Sequence, residues 1–392
     1  MIGQVQNTGG KPGLYTKDFL VASFANLLFF SNVNAFNLLP LYIRDLGGTE
    51  AQIGGIMGMY QVAAILMQPL AGVAIDRLGR RWFMVVGAAS ALFASLAFGF
   101  SKHLGAHFFF LRFLQGVGYS AFFIANFTFI AELAPPGRRA EAMGVFGISG
   151  LVTIALAPAT GELIIEAFGY RPFFFITATL AAVALGVSLS LRDPERGRAL
   201  TPELAFDRFF SRRRLLVPIL VSFSFGVGLG TVFVFLPPYA KALALGRIGP
   251  FYIFYTLAAI GVRFFGGRLS DRFGRRRVIL PGLILQAVGS LWLSYPHPWF
   301  ALRVIGLLIG GAHGFLYPAL SALVVDLGGE GTGGLQCRCP LRKCLWKLDL
   351  RRGCPFPGVS GDLPPGSGDH PPWLRGLLPL GGGLRPGGGQ IV

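Results

Sequence analysis

Gly72-Val73-Ala74-Ile75-Asp76-Arg77-Leu78-Gly79-Arg80-Arg81 closes one long apolar run, and Gly267-Arg268-Leu269-Ser270-Asp271-Arg272-Phe273-Gly274-Arg275-Arg276 closes another. The copies begin 195 residues apart (267 − 72), and six of their ten positions agree at the same spacing. A signature that recurs where apolar runs end marks a duplicated membrane domain. Internal duplication is the build of secondary transporters.

Composition points to lipid as the solvent. The chain has 392 residues, 53% hydrophobic and 14% charged, with mean hydropathy +0.59. Soluble domains carry about 25% charged residues. Nine stretches run for 19 or more residues without Asp, Glu, Lys or Arg: 19–43, 51–75, 82–101, 113–131, 142–161, 172–191, 215–240, 278–302 and 304–325. A tenth, 248–267, is broken only by Arg263. About 20 apolar helical residues cross the ~30 Å hydrocarbon core, so the sequence predicts ten spans and an all-α, polytopic membrane fold.

The net charge of +17 reads as orientation. With the N-terminus inside, the cytoplasmic tail and turns hold eighteen Lys and Arg, against five (Arg44, Lys102, Arg171, Lys241 and Arg247) on the other side. This bias predicts a multi-pass protein of the cytoplasmic (inner) membrane with its N-terminus inside. Its basic residues would meet lipid headgroups, and no nucleic-acid partner is needed. The apolar run from Phe19 is too long for a signal core and lacks a cleavage pattern, so the first span is expected to serve as its own insertion signal.

Residues 1–191 read as a six-span half and 192–214 as an Arg-rich cytoplasmic linker. Residues 215–326 hold spans seven to ten of a second half, and 327–392 form an aberrant tail rich in Gly and Pro. Two further landmarks repeat in register. Leu39-Pro40-Leu41-Tyr42 ends span one as Leu236-Pro237-Pro238-Tyr239 ends span seven, and Leu111-Arg112 in span four matches Leu302-Arg303 in span ten.

The signature resembles the cytoplasmic loop motif of the major facilitator superfamily, found between its helices two and three and again between eight and nine. Arg112-Phe113-Leu114-Gln115-Gly116-Val117-Gly118 is similar to the superfamily's helix-four motif, Arg-x-x-Gln-Gly-x-Gly. Gly150 with Ala157-Pro158-Ala159-Thr160-Gly161 resembles a degenerate Gly-Pro-x-x-Gly-Gly antiporter motif, with Ala157 and Glu162 in place of glycines. Over residues 15–326 the pattern is most similar to bacterial efflux-type members, of the arabinose or drug efflux permease kind. The resemblance implies a two-half bundle of twelve helices, ten of them recognisable here. It implies a monomeric secondary transporter of a small molecule, working by alternating access and using the proton as coupling ion. No cofactor, metal or catalytic residue is expected. The chain has no Gly-x-x-x-x-Gly-Lys-Ser/Thr loop, so active transport would be gradient-driven.

The resemblance also implies a conformational latch. Asp76 would dock on the N-terminus of helix eleven, where the helix dipole favours a carboxylate. Arg77 and Arg80, on either side of Gly79, would supply counter-charge, and Gly72 would let its helix approach a neighbour closely. Gly267, Asp271, Arg272, Gly274 and Arg275 repeat the set. A simple positive-inside anchor is the alternative for Arg80, Arg81, Arg275 and Arg276.

Arg112 is a charge within span four, and an intramembrane ion is a functional residue by default. Snorkelling to the outer interface is the alternative. Arg303 and Arg263 are charges of the same kind, and Gln115 shares the motif of Arg112. In the superfamily, helices one, four, seven and ten line the cavity. Asn26, Asn34 and Asn37, on one helical face, are therefore expected substrate contacts together with Asn126 and His313. Interhelical hydrogen bonding is the alternative. Glu162 is the leading carboxylate for a proton pathway. Aromatic residues around these positions point to an amphiphilic, partly apolar substrate.

All four cysteines (Cys337, Cys339, Cys344 and Cys354) lie in the tail at spacings that match no zinc pattern. Read one base later, Leu335-Gln336-Cys337 permits Phe-Asn-Ala, and Trp346 to Leu350 permit Gly-Asn-Leu-Ile-Phe, as a helix eleven would require. These products predict a frameshift near Gly328–Gly334, with a genuine disordered tail as the alternative. A membrane sensor on the same fold and an inactive truncated product are competing classes. A membrane enzyme would need clustered His or acidic residues, and the five histidines are scattered.

Overall fold

A computed structural model describes residues 15–135, 138–193, 215–273, 275–295 and 300–329. The linker residues 194–214, the tail from 330 with its shifted-frame reading, and the expected helix eleven lie outside the described residues.

Thr16 caps α1 (Lys17–Ala35) by accepting from the Phe19 N–H, and a 3-10 turn (Phe36–Leu38) leads into α2 (Leu39–Asp45) on the same span. α3 (Glu50–Leu78) starts on a capping box in which Thr49 and Gln52 satisfy each other's free N–H groups. α4 (Arg80–Phe100), α5 (Ala106–Leu133), α6 (Arg139–Phe168) and α7 (Tyr170–Ser190) complete the first half. The second half holds α8 (Leu216–Ala242), α9 (Gly249–Phe273), α10 (Arg275–Leu293) and α11 (Ala301–Gly329). Among the described residues, eight helical segments are long and apolar enough to cross a membrane. The apolar run Arg277–Leu293 is shorter, and α9 carries Arg263 before ending on the second signature. With these two, all ten expected spans are helical.

The apolar packing explains how the halves meet. At the end of the bundle opposite the signatures, here the far end, one core joins them: Phe36, Phe98 and Phe174 pack in the same cluster as Leu236, Tyr252 and Ile305. Towards the signature end the cores separate. Phe29, Phe122 and Phe129 belong to a cluster of the first half alone, and Phe225, Leu316 and Leu320 to one of the second. Large apolar side chains such as Leu70, Phe93, Val217 and Leu280 remain on the outer surface, where lipid is the only solvent that suits them.

The duplication recurs in the contacts. The Tyr42 hydroxyl donates to the Ser101 carbonyl after α4, and the Tyr239 hydroxyl donates to the Leu293 carbonyl of α10 at 2.9 Å. Span one is thus tied to span three as span seven is tied to span nine. Likewise a Cβ at Gly116 would overlap the Tyr60 carbonyl, and one at Gly310 the Tyr255 carbonyl, so α5 crosses α3 as closely as α11 crosses α9. Tyr60 and Tyr255 stand 195 residues apart (255 − 60), the offset of the signatures.

Candidate functional site

Three groups of polar residues matter: the signature turn, the far-end seam and the interior between them. At the turn, Gly79 joins α3 to α4 with φ +96° and ψ 155°, a conformation strained for any residue with a Cβ. The Asp193 carboxylate lies against Gly79 and accepts from the Arg81 N–H at 2.8 Å, capping the start of α4. The Arg81 guanidinium donates to the Leu189 carbonyl at 2.6 Å. Buried Arg80 pairs with Glu132 in the last turn of α5 at 2.6 Å. Both arginines are therefore bonded within the first half, and a headgroup anchor does not describe buried Arg80. Gly79→Ala is expected to destabilise the protein by about 1–3 kcal/mol, the usual cost of such a backbone. A thermal unfolding midpoint equal to that of the parent would contradict this.

Gly72 lies in the closing turns of α3. Among the described residues, a Cβ there would meet nothing within 4 Å. The side chains of Asp76 and Arg77 lie outside the described residues, as do those of the second signature. Gly267, Asp271 and Arg272 fall in the closing turns of α9, Gly274 is undescribed, and Arg275 opens α10.

Among the described residues, every hydrogen bond and ion pair between the halves is at the far end. Lys241 reaches Asp45 at 2.6 Å, Arg247 reaches Glu166 at 2.7 Å, and Tyr170 steadies Asp45 from within the first half at 2.7 Å. The bond to Glu166 holds the Arg247 guanidinium above its ordinary pKa. Glu162 does more than pair. Its carboxylate oxygens accept from the Ile248 and Gly249 N–H groups at 2.8 and 2.7 Å, so it caps the start of α9 from across the seam. The residue that departs from the antiporter pattern is thus an inter-half contact.

In the interior, Arg112 is 5% exposed, donates to Gln115 at 2.9 Å and lies over the Tyr60 ring at 4.5 Å. It is enclosed rather than snorkelling. His313 is also buried, with Nδ1 2.7 Å from the Tyr255 hydroxyl. Three of the asparagines have interhelical partners. Asn26 donates to Ser149 and Asn34 to Thr153, each at 2.8 Å, while Asn126 donates to Asn26 at 3.2 Å. The Asn37 amide nitrogen is buried without a partner among the described residues. Arg303 lies in the first turn of α11, half-buried. A cavity of about 410 Å³ between α8 and α10, lined by Thr231, Phe235 and Ser290 among others, contains none of these residues.

Sequence reading missed Asp193, the Asp45–Lys241 pair and the interior tyrosines. The tyrosines had a signal: Tyr60-x-x-Ala63-Ala64-Ile65 repeats as Tyr255-x-x-Ala258-Ala259-Ile260 at the signature offset.

A duplicated helical bundle with a polar interior and a seam closed at one end has the architecture of a membrane transporter. Residues 19–335 match the profile of the Major Facilitator Superfamily, and the chain belongs to that family. It is 24% identical over 322 residues to the staphylopine export protein of Staphylococcus aureus (strain Mu50 / ATCC 700699), covering 78% of this chain and 80% of that one. It is 26% identical over 313 residues to the multidrug resistance protein MdtG of Citrobacter koseri, covering 76% of each. Among solved structures, the nucleoside transporter NupG superposes with TM-score 0.68 at 16% identity, covering 79% of this chain and 83% of that one. A bacterial homologue of the human lysosomal transporter Spinster, solved inward-facing and unoccupied, gives TM-score 0.59 at 17% identity, covering 82% and 81%. The chain is a multi-pass membrane protein of a transporter family whose members bind small molecules.

Proposed function

We propose that this transporter is an efflux permease of the cytoplasmic membrane, driven by a proton gradient and moving its substrate by alternating access. The observation that carries the reading is the asymmetry of the seam: one shared core and three polar links at the far end, separate cores towards the signatures. Two bodies joined, among the described residues, at one end only are built to rock. Relatives named for staphylopine export and for multidrug resistance favour the outward direction. The positive-inside bias puts the signature end in the cytoplasm, so this conformation would face inward.

The residues divide the work. The seam at Glu162, Glu166 and Asp45 closes the far side, and Asp76 with the basic residues of both signatures latches the near side in the opposite state. Arg112, Gln115, Asn37 and His313 form the path between. Glu162 holds the seam while ionised and releases it when protonated, which makes the far side sensitive to protons. Reporter fusions at Arg196 and at Gly249 test the orientation: they should report the cytoplasm and the opposite side respectively, and the same side for both would sink the topology.

A further inference from the structure

We infer that the path takes an organic anion with an aromatic or apolar body, a reading that rests on the proposed transport function. Besides Arg303 in the first turn of α11, two guanidinium groups lie within the spans, one from each half. Arg112 is over the rings of Tyr60 at 4.5 Å and Phe36 at 5.9 Å, and Arg263 is over Tyr317 at 5.4 Å. Guanidinium stays protonated under any condition a membrane protein meets, so both positions carry full charge. The five described ion pairs all engage other residues and lie near helix ends, so neither arginine has a carboxylate partner among the described residues. The Nε atom of each is buried without a hydrogen bond among the described residues. Arg112 is buried and Arg263 half-buried; a charge left unpaired away from water is costly, and aromatic faces offset only part of that cost. What would complete both sites is an incoming acidic group, which arginine holds through two parallel N–H bonds.

Aromatic rings supply the rest of the site. Each arginine has its own aromatic surround, Tyr60 and Phe36 for Arg112 and Tyr317 for Arg263. The ring centroids of Tyr60 and Tyr119 are 5.4 Å apart. From Tyr119 the face of α5 continues through Phe123 and Phe127 at spacings of four, with ring centroids 5.6 and 5.9 Å apart. That ladder runs from the Tyr60–Tyr119 contact towards the signature end. It suits a flat apolar body whose acidic group travels ahead of it, and a cationic substrate would meet two like charges.

Equilibrium binding to the purified full chain in lipid nanodiscs tests this with three probes of one shape: 2-naphthoate, the neutral 2-naphthamide, and the cationic 2-naphthylmethylammonium. Naphthoate should bind at least tenfold more tightly than either of the others. Arg112→Gln and Arg263→Gln should each cost about tenfold or more, one lost charge-assisted contact. Arg112→Lys and Arg263→Lys, which keep the charge, should retain part of the affinity, and Lys102→Gln on the exposed far end should change nothing. Equal affinity for all three probes, no binding of naphthoate, or Gln variants that bind like the parent would overturn the inference. Binding is read without flux, so a failure of anion selectivity is separable from a failure of transport. A chain that exports a neutral compound yet ignores naphthoate would refute the substrate class and leave the transport reading standing.

Discussion

With the reading frame restored after about Gly328, Arg112→Ala is expected to abolish transport while leaving membrane insertion intact. Arg112 is enclosed between Tyr60 and Gln115 rather than exposed at an interface, so its charge is held in place by the fold. Losing a charge-assisted hydrogen bond to substrate costs about 1.5–3 kcal/mol, or roughly 10- to 150-fold in flux. Insertion depends on the apolar span and should be unaffected. Arg112→Lys should restore only part of the activity, because lysine lacks the planar five-donor fork. Flux per inserted molecule is the measurement, and full activity of the alanine variant would return Arg112 to a packing role.

Glu162→Ala should open the far end. The carboxylate caps α9 from the opposite half, and such contacts with a partly buried helix N-terminus are worth about 1–2 kcal/mol. In a two-state protein that shifts the ratio of closed to open forms by roughly 5- to 30-fold. Ala157, buried at the shared core, reports the change when replaced by cysteine. Its reaction rate with a membrane-impermeant maleimide should rise by that factor in the Glu162→Ala background. In the parent the contact is present while Glu162 is ionised and lost as pH falls through its pKa, so the reaction should speed up on acidification. Glu162→Gln should remove the part of that dependence due to this residue, leaving any due to Glu166. Equal rates in parent and alanine variant would show that the cap does not hold the seam.

The fold was legible because lipid leaves few choices. Charge-free runs long enough to span, a repeated turn signature and a biased distribution of arginines each constrain the same topology, and the ten spans followed from them. The site was legible only in part. Arg112, Gln115 and His313 stood out as polar residues in apolar runs, and the structure places them in the interior. Asn26, Asn34 and Asn126 stood out for the same reason, yet each satisfies a neighbouring helix, and a single sequence does not distinguish interhelical bonding from a cavity face. Glu162 was read as a proton-pathway residue. That it caps α9 depends on two segments 86 residues apart meeting at the seam, which periodicity within either does not reveal. Asp193 capping α4 was hidden for the same reason. Tyr60 and Tyr255 were within reach, since their motif repeats at the offset already found.

Paired distance measurements between spin labels test the alternating-access claim most directly. In a variant with the four tail cysteines replaced by serine, one label pair at Ala51 and Leu243 reads the far end, and a second at Trp82 and Leu216 reads the signature end. All four positions are exposed. Adding Glu162→Ala, or lowering the pH, should lengthen the Ala51–Leu243 distance and shorten the Trp82–Leu216 distance together. Distances that stay fixed, or that lengthen at both ends at once, would contradict a transporter whose halves rock about a central site.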